Sequence, residues 1–409
     1  MQAGSRKNMD RISEAVPDCK SRNLQQFLTH SKWNAREVIK QVARETDSLL
    51  GDTIDTGLII DESGFAKQGQ MSVGVSRQWL GRLGKVDNGQ VAVYGVLAND
   101  RFAAPVDARL YLPKNWIDDP KRCTKAGVPA SEQIFKTKDE LALEIVQNAR
   151  SNGLRFDWVG ADAGYGKGQD FPNKLDAMNE TFIIDLHSDF HVYSENPKPY
   201  IPCKKSKRGP NFKRYQTDAK SIEVQKIFSE SDLDEQPVLK LRKTSRGFLK
   251  VKALRIPVYT WDGETAEVKE RQLIITKTIG PSSDLKISIT NTPLSIGIKK
   301  LAWMQRQRFW VERVFEDAKS ECGMADYQVR KWDAWHHHMA LVMMAVLFML
   351  EERIRHKESY PLLSCADIEE LLSKFLPRRN VTKEEIISQL EYRHRKRLSA
   401  IASHSRCAT

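Results

Sequence analysis

The chain has 409 residues, 40% of them hydrophobic and 29% charged, which is ordinary for a water-soluble globular protein. Its 65 Lys and Arg against 53 Asp and Glu give a formal charge of +12 and a pI near 9.3. The apolar run from Met339 to Leu350 is too short to span a membrane, and the polar start of the sequence is unlike a signal peptide. These properties predict a cytoplasmic protein with no membrane partner and favour a polyanionic partner such as nucleic acid.

The cysteines and histidines give no metal-binding pattern. Six cysteines are scattered without a C-x-x-C pair, which excludes the usual zinc spacings and disfavours a disulfide framework. Three consecutive histidines at 336–338 could suggest a metal site, but adjacent residues of a helix point in different directions. We interpret them as an accidental cluster beside a core helix.

The first half of the chain changes from helical to strand-like patterns. Residues 1–50 are predicted to be helical, with Asn34 as the N-cap of AREVIKQVARE. A helix is also predicted over 137–150. Short apolar runs predict the strands LIID (58–61), QVAVYGVL (90–97), ARLYLP (108–113), FDWVGAD (156–162) and TFIIDLH (181–187). Together they predict an α/β protein whose mixed sheet has an antiparallel edge and flanking helices.

The second half of the chain begins with a different amino-acid composition. Residues 195–290 are rich in Lys, Arg, Pro and Thr and contain β-like runs, whereas the chain beyond Pro293 is helical again. WHHHMALVMMAVLFMLEERI is apolar enough for a buried core helix. We therefore expect five segments, namely a helical N-terminal segment (1–50), a first part of the core (51–194), a β-rich insertion (195–290), a second part of the core (291–350) and a basic helical region (351–409).

Two aspartates are candidates for catalysis. We expect Asp61 and Asp162 each to end an apolar strand, and glycines follow both, which lets a substrate backbone come close. Carboxylates at the ends of neighbouring strands can converge, and they are ligands that Mg²⁺ prefers. Two such metal ions could activate a water or a 3′-OH and stabilise the leaving oxygen. An aspartate after a strand is also a common turn former, so each residue alone leaves both interpretations open.

A third carboxylate lies on a predicted helix, MQRQRFWVERVFEDAKSECG. At 100° per residue, an apolar stripe runs along one face of this helix through Trp310, Val311, Val314, Phe315 and Ala318. Arg308, Glu312 and Lys319 lie beside the stripe, so Glu312 leans toward the protein between two cations. This arrangement suits a metal ligand with phosphate-binding neighbours, but it also suits a solvated helix with ordinary i,i+4 ion pairs.

Three blocks of the sequence resemble the catalytic blocks of bacterial insertion-sequence transposases of the DDE superfamily. They are the stretch that begins LIIDESGFAKQG, the segment WVGADAGYG, and R-x-x-x-E-x-x-x-x-x-x-K at Arg308, Glu312 and Lys319. The wider group has a tyrosine where this chain has Gln305, which puts the phosphate contact of that tyrosine in doubt but not the carboxylate. The resemblance covers about residues 20–350.

The resemblance implies an RNase H-like fold and a transposase that cleaves the inverted-repeat ends of its element and transfers the strands to target DNA. It implies that Asp61, Asp162 and Glu312 are catalytic and bind two ions of Mg²⁺ or Mn²⁺ per active site. The implied partner is double-stranded DNA, both the terminal inverted repeats and the target. Because two element ends must be brought together, a dimer is expected in the DNA complex.

Several residues are candidates for DNA contacts. Lys67 lies just beyond Asp61 in a stretch that resembles a phosphate-contacting loop. Trp261, in the turn-like YTWDGE, is a candidate for holding a flipped base, as related transposases can do, although a core tryptophan is the commoner case. CKKSKRGPNFKRY interleaves rings with the cations Lys204, Lys205, Lys207, Arg208, Lys213 and Arg214.

Two other functions remain open at this point. The chain could be a catalytically silent DNA-binding protein derived from a transposase, an interpretation that a short N-terminal segment favours and the intact carboxylates oppose. It could also be another RNase H-like nuclease, which the long insertion and the spacing of Arg308, Glu312 and Lys319 disfavour. The transposase interpretation accounts for the largest number of residues.

Overall fold

The computed structural model describes residues 6–51, 55–203, 212–244, 247–280 and 283–407. Three helices come first: α1 (Met9–Ala15), α2 (Ser21–Thr29) and α3 (Ala35–Leu50). The predicted N-cap of α3 is confirmed, because Asn34 Oδ1 accepts hydrogen bonds from the backbone N–H groups of Arg36 and Glu37, at 3.0 and 3.4 Å. One face of α3, including Ile39 and Val42, is buried in the core.

The core strands and their connecting helices follow. They are β1 (Gly57–Ala66), β2 (Ser76–Leu80), β3 (Lys85–Asn99), β4 (Phe102–Leu110), α4 (Lys114–Ile117), α5 (Pro120–Lys125), α6 (Lys138–Ser151), β5 (Trp158–Ala161), α7 (Asp170–Ala177) and β6 (Phe182–Asp185). All five predicted strands are present, but ARLYLP begins in β4 and ends beyond it, and β2 was not predicted. The helix predicted over 137–150 is α6, which begins with a capping box at Thr137 and Glu140.

The core part of the sheet has the order β4–β3–β1–β5–β6. The neighbours β4, β3 and β1 are antiparallel, whereas β5 and β6 run parallel to β1. Helices pack against this sheet, with α6 contacting β3 and β4 and the long C-terminal helix described below contacting β4. The predicted mixed α/β sheet with an antiparallel edge is confirmed, and its strand order is consistent with an RNase H-like fold.

The next six strands are β7 (His191–Val192), β8 (Ile222–Glu223), β9 (Leu239–Thr244), β10 (Gly247–Trp261), β11 (Val268–Thr278) and β12 (Leu285–Thr290), with α8 (Glu230–Asp234) between β8 and β9. Of these, β9 to β12 extend the same sheet. β12 pairs antiparallel with β6, and β11, β10 and β9 follow in order. β7 and β8 form a separate two-stranded sheet. The β-rich part of residues 195–290 is therefore hydrogen-bonded to the core.

The remaining helices are α9 (Ile298–Arg306), α10 (Arg308–Ser320), α11 (Trp332–Arg355), α12 (Cys365–Phe375) and α13 (Lys383–Cys407). By length and composition α11 could cross a membrane, but 72% of its most apolar window is buried inside the protein. It contacts α3 and β4. The prediction of a buried core helix is confirmed.

The three consecutive histidines of α11 point to different partners. The Nδ1 atom of His336 lies 3.0 Å from the Trp332 carbonyl, whereas His337 bridges the carbonyls of Leu28 and Trp33, each at 2.9 Å. The ring of His338 packs on Tyr327. Within the described residues no group of three His, Cys, Asp or Glu side chains is placed to hold a metal ion. The three rings point in different directions, as adjacent residues of a helix do.

We expect these histidines to make stability depend on pH. Burial, and then Arg36, lowers the pKa of His336 to about 3, and burial lowers that of His338 to about 4. Because an unfolded histidine titrates near 6.5, only the unfolded chain takes up these protons between pH 6.5 and about 4. The free energy of unfolding should fall across that range, by about 2 kcal/mol per histidine at pH 5. Denaturant unfolding at pH 7 and pH 5 measures this loss.

Between pH 7 and pH 5 the variant His336→Gln should lose about 2 kcal/mol less stability than the wild type. His394→Gln provides the control, because His394 is exposed on α13. An equal loss of stability between pH 7 and pH 5 in all three proteins would show that His336 does not contribute.

Candidate active site

The register of the parallel strands brings Asp61 and Asp162 together. Ile60 of β1 is paired with Ala161 of β5, so the two aspartates are the next residues on neighbouring parallel strands. The expectation that Asp61 ends its strand is wrong, because β1 continues to Ala66 alongside β3. What ends at Ile60 is the pairing with β5, and this opens the sheet beside Asp61.

The carboxyl group of Asp61 is almost fully enclosed, with 8% of the residue exposed. Burial raises its pKa to about 7, with a further increase from the charge of Asp162, while Arg308 acts in the opposite direction. Its Oδ1 atom accepts a hydrogen bond from the Glu62 N–H at 2.7 Å. A nearby cation favours the charged form of a buried carboxyl group, and the pKa of about 7 already includes this effect.

Helix α10 supplies that cation. The predicted apolar stripe is confirmed for Val311, Val314, Phe315 and Ala318, which are buried, and Trp310 is half-buried. The stripe places Arg308 over the sheet edge, with its Nη1 atom 3.6 Å from Asp61 Oδ2 and 3.8 Å from Asp162 Oδ2. The Nη2 atom donates to Glu312 Oε1 at 3.0 Å. The structure thus brings the three predicted carboxylates around one guanidinium group.

A fourth carboxylate, Asp185, was missed by the sequence analysis. It is the last residue of β6, and its Oδ2 atom lies 3.5 Å from Arg308 Nε. Because Ala161 is paired with Ile184, Asp185 stands next to Asp162 just as Asp162 stands next to Asp61. The available signal was the aspartate in TFIIDLH, which follows its apolar strand in the same way as the other two.

Asp185 is held from behind by a chain of hydrogen bonds. Ser288 Oγ donates to Asp185 Oδ1 at 2.6 Å, and Gln305 Nε2 donates to Ser288 Oγ at 2.7 Å. Gln305 Oε1 in turn accepts from the Thr276 hydroxyl. Gln305, which stands where the wider group has tyrosine, is therefore a buried link between α9 and the strands β11 and β12.

Two open clefts meet at these carboxylates. The larger, of about 1070 Å³, is lined by Asp61, Asp162 and Glu312 together with Arg82, Lys319 and Trp79. The smaller, of about 560 Å³, extends from Asp162, Arg308 and Trp79 past Lys167 and Asp185 to Lys286. The carboxylates thus lie in a continuous trough whose walls carry cations, as a polyanion that passes the site requires.

Only some of the residues predicted to contact DNA lie at the two clefts. Arg308 and Lys319 line the larger cleft. Lys67 instead packs on the Tyr327 ring, 3.4 Å from its centroid, and burial lowers its pKa to about 8. Lys213 and Arg214 are exposed, whereas Lys204, Lys205, Lys207 and Arg208 lie outside the described residues.

Trp261 is half-buried at the end of β10, and its indole N–H donates to the Thr265 carbonyl at 2.7 Å. The adjacent Asp262 and Glu264 line a third cavity, of about 940 Å³, which shares Lys167 with the smaller cleft. Trp261 therefore lies close to this end of the trough, with its indole N–H engaged within its own turn.

The chemistry of the donors at this site suits a divalent metal ion, although the carboxylates lie around Arg308 and no three of these described side chains are placed to hold a metal in this structure. Four carboxylates supply hard oxygen ligands of the kind that Mg²⁺ and Mn²⁺ prefer. Burial opposes the charge of Arg308, but the carboxylates around it raise its pKa. Its Nε atom is buried and forms no hydrogen bond with any described residue. The guanidinium group thus offsets the negative charge of the carboxylates, and among the described residues it forms a hydrogen bond only with Glu312. The carboxylates therefore remain able to bind another cation.

Comparison with known proteins identifies the family of the chain. A sequence model of the family described as DDE superfamily endonuclease matches residues 1–245. A probable transposase for insertion sequence element IS701 from Microchaete diplosiphon is 27% identical over 334 residues, covering 79% of this chain and 73% of the relative. The crystal structure of the NurA nuclease from Sulfolobus solfataricus aligns with a TM-score of 0.27 and 10% identity, over 80% of this chain and 94% of the nuclease.

The family match spans more than half of the chain, so the chain belongs to the DDE superfamily endonucleases. The resemblance to an insertion-sequence transposase of the DDE type is confirmed. Members of this superfamily generally depend on divalent metal, and the chain is a metal-dependent DNA endonuclease.

We predict that Arg308 competes with divalent metal for the carboxylates. Arg308→Met keeps the apolar stem of the side chain but removes the guanidinium group beside Asp61. The substitution should cost roughly 2 kcal/mol in metal-free buffer, because Asp61 can relieve part of the cost by taking up a proton. The variant should then gain more thermal stability from added Mg²⁺ than the wild type gains. Thermal unfolding with EDTA and with increasing Mg²⁺ tests both statements.

Arg313→Met is the matched control, because Arg313 faces away on the same helix and pairs with Glu316 and Asp317 at the surface. Its metal-dependent shift in Tm should equal that of the wild type. An Arg308→Met shift no larger than this one would contradict competition at the site.

Proposed function

We propose that the protein is the transposase of its own insertion sequence, which cleaves DNA at the inverted-repeat ends and transfers the freed strands to target DNA. The observation that carries the proposal is the convergence of Asp61, Asp162 and Glu312 around Arg308 in an open, cation-lined trough. A double-stranded DNA partner fits the charge of +12 and the cations that line the trough. Two element ends must meet in one complex, which favours a dimer on DNA.

Asp61, Asp162 and Glu312 would hold Mg²⁺ or Mn²⁺, two ions per active site, and Asp185 is placed to assist. When bound, the ions would activate the attacking water or 3′-OH and stabilise the leaving oxygen. The protein itself would place the scissile phosphate among Arg308, Lys319 and Arg82, all of which line the larger cleft. Fixed cations around a phosphate both orient it and stabilise charge that develops in the transition state.

Asp185 and its hydrogen bonds would fix the direction of Arg308. Ser288 and Gln305 would fix Asp185, and the charge of Asp185 would in turn restrict the side chain of Arg308. Arg308 would therefore lose little conformational entropy when it contacts a phosphate. Residues 195–290 would act as an insertion that supports this arrangement from β12, between the two parts of the core at 51–194 and 291–350. The helical segments 1–50 and 351–409 would flank the catalytic unit.

The substitutions Asp61→Asn, Asp162→Asn and Glu312→Gln should each abolish DNA cleavage while leaving DNA binding nearly unchanged. Each keeps the shape of the side chain and removes one negative oxygen ligand, so we expect a loss of at least about 1000-fold in nicking rate. The measurement uses labelled duplex DNA that ends in the inverted repeat of the element, incubated with Mg²⁺ or Mn²⁺ and resolved on denaturing gels. Binding is followed by mobility shift.

Asp157→Asn is the matched control, because Asp157 is exposed at the other end of β5. It should nick DNA at the wild-type rate. Full activity in any of the three variants would remove that residue from the site. Binding without nicking by the wild-type protein would instead favour a silent DNA-binding protein.

A further inference from the structure

The C-terminal helix α13 carries a stripe of apolar side chains that is open to solvent. Ile387, Leu390, Leu398 and Ile401 are each between 47% and 62% exposed. At 100° per residue, these positions and His394 between them lie within about 80° of one another on one side of the helix. The stripe extends along about 21 Å of the helix axis. An apolar stripe of this form is the surface through which one helix packs against another.

The other side of α13 holds the helix to the rest of the protein. Lys396 pairs with Asp10 at 3.0 Å and Arg393 pairs with Glu14 at 2.7 Å, and both carboxylates belong to α1. Arg393 and Lys396 lie about 100° and 160° around the helix from the middle of the stripe. Because these ion pairs turn the polar side of α13 inward, the apolar stripe faces away from the protein, where another molecule can reach it.

The order of the residues along the stripe is symmetric about His394. Leucines stand four residues before and four residues after it, at Leu390 and Leu398, and isoleucines stand seven residues before and after it, at Ile387 and Ile401. If two such helices packed antiparallel about a twofold axis at His394, each leucine would face the other leucine of the second copy, and the isoleucines would match in the same way. A twofold interface requires a surface that fits itself, and this stripe has that property.

The charges beside the stripe fit the same arrangement. Glu391 and Arg395 lie on the same flank of the stripe, on the two sides of His394. In the antiparallel pair, Glu391 of one copy would lie about 3 Å along the axis from Arg395 of the second copy, and the twofold axis would repeat this contact. His394 would be the one polar residue inside the apolar seam, and a polar residue at such a position fixes the register of two packed helices.

We propose that α13 binds α13 of a second copy of this chain in an antiparallel pair centred on His394, and that the pair forms without DNA. The choice of a second copy rests in part on the proposed function, because two element ends must meet in one complex. The helix pair gives that complex a protein contact that precedes DNA binding. It lies on a helix that lines neither of the two clefts of the active site.

Light scattering of the full chain without DNA tests the pair. The wild-type protein should have twice the mass of one chain, which is 46.8 kDa. Leu390→Glu places a charge at two symmetric points of the seam and should raise the dissociation constant of the dimer at least about 100-fold. Leu390 is exposed within one chain, and glutamate favours a helix, so circular dichroism and the melting temperature of the single chain should show an intact fold.

Leu371→Glu is the matched control. Leu371 is 52% exposed, much as Leu390 is, but it belongs to α12. The introduced charge is therefore the same, and the position lies outside the stripe. This variant should dimerise as the wild type does.

Reversal of charges tests the antiparallel register. Glu391→Arg alone, or Arg395→Glu alone, should weaken the dimer about fivefold, because each places like charges together at two symmetric contacts. The double variant that carries both substitutions exchanges the two partners and should recover most of the affinity. Recovery is expected only where Glu391 of one copy lies beside Arg395 of the other. Two weakened single variants without recovery in the double variant would contradict the register.

A wild-type chain with the mass of one copy at its highest soluble concentration would overturn the proposal, as would a dimer that Leu390→Glu leaves unchanged. Flotation of a monomeric chain with vesicles of anionic phospholipid, lost in Leu390→Glu, would also overturn it and would assign the stripe to a membrane surface. These measurements contain no DNA. A wild-type protein that dimerises but does not nick inverted-repeat DNA in Mg²⁺ or Mn²⁺ would instead count against the proposed function.

Discussion

A single guanidinium group lies among four carboxylates that come from three strands and one helix. Arg308 is the partner that permits Asp61, Asp162, Asp185 and Glu312 to approach one another, since like charges this close repel strongly when no cation lies between them. The three aspartates are separated in sequence from Arg308 and Glu312 by the strands β7 to β12. The position of Arg308 among the carboxylates therefore depends on the order of the strands and on which face of α10 is buried. The same position determines the charge in the cleft.

Part of this arrangement was predictable from the sequence. Asp61 and Asp162 each follow an apolar run. The helical periodicity of α10 predicts that Arg308, Glu312 and Lys319 lie on one side of a buried apolar stripe. Local patterns of this kind identify residues and the faces they occupy. Their roles came from the resemblance to a family, because each pattern alone also has an ordinary structural explanation.

Other features depend on contacts between distant residues, which a local pattern does not contain. Asp185 joins the site through the register of Ala161 with Ile184, and that register is set only when β5 and β6 are paired. Lys67 follows Asp61 closely in sequence, but the Tyr327 ring covers it from another part of the chain. The short strand β2 has no sustained alternation, and its partner β3 fixes it.

The pairing of β12 with β6 has a consequence for attempts to shorten this enzyme. Removal of residues 195–290 would uncover one edge of β6, including the backbone that carries Asp185, and would withdraw Ser288 from behind that carboxylate. A bare edge strand invites pairing with other molecules and aggregation. A minimised enzyme would therefore need a substitute strand at this edge, so a strand in the place of β12 is an architectural requirement and sets a lower limit on the size of the protein.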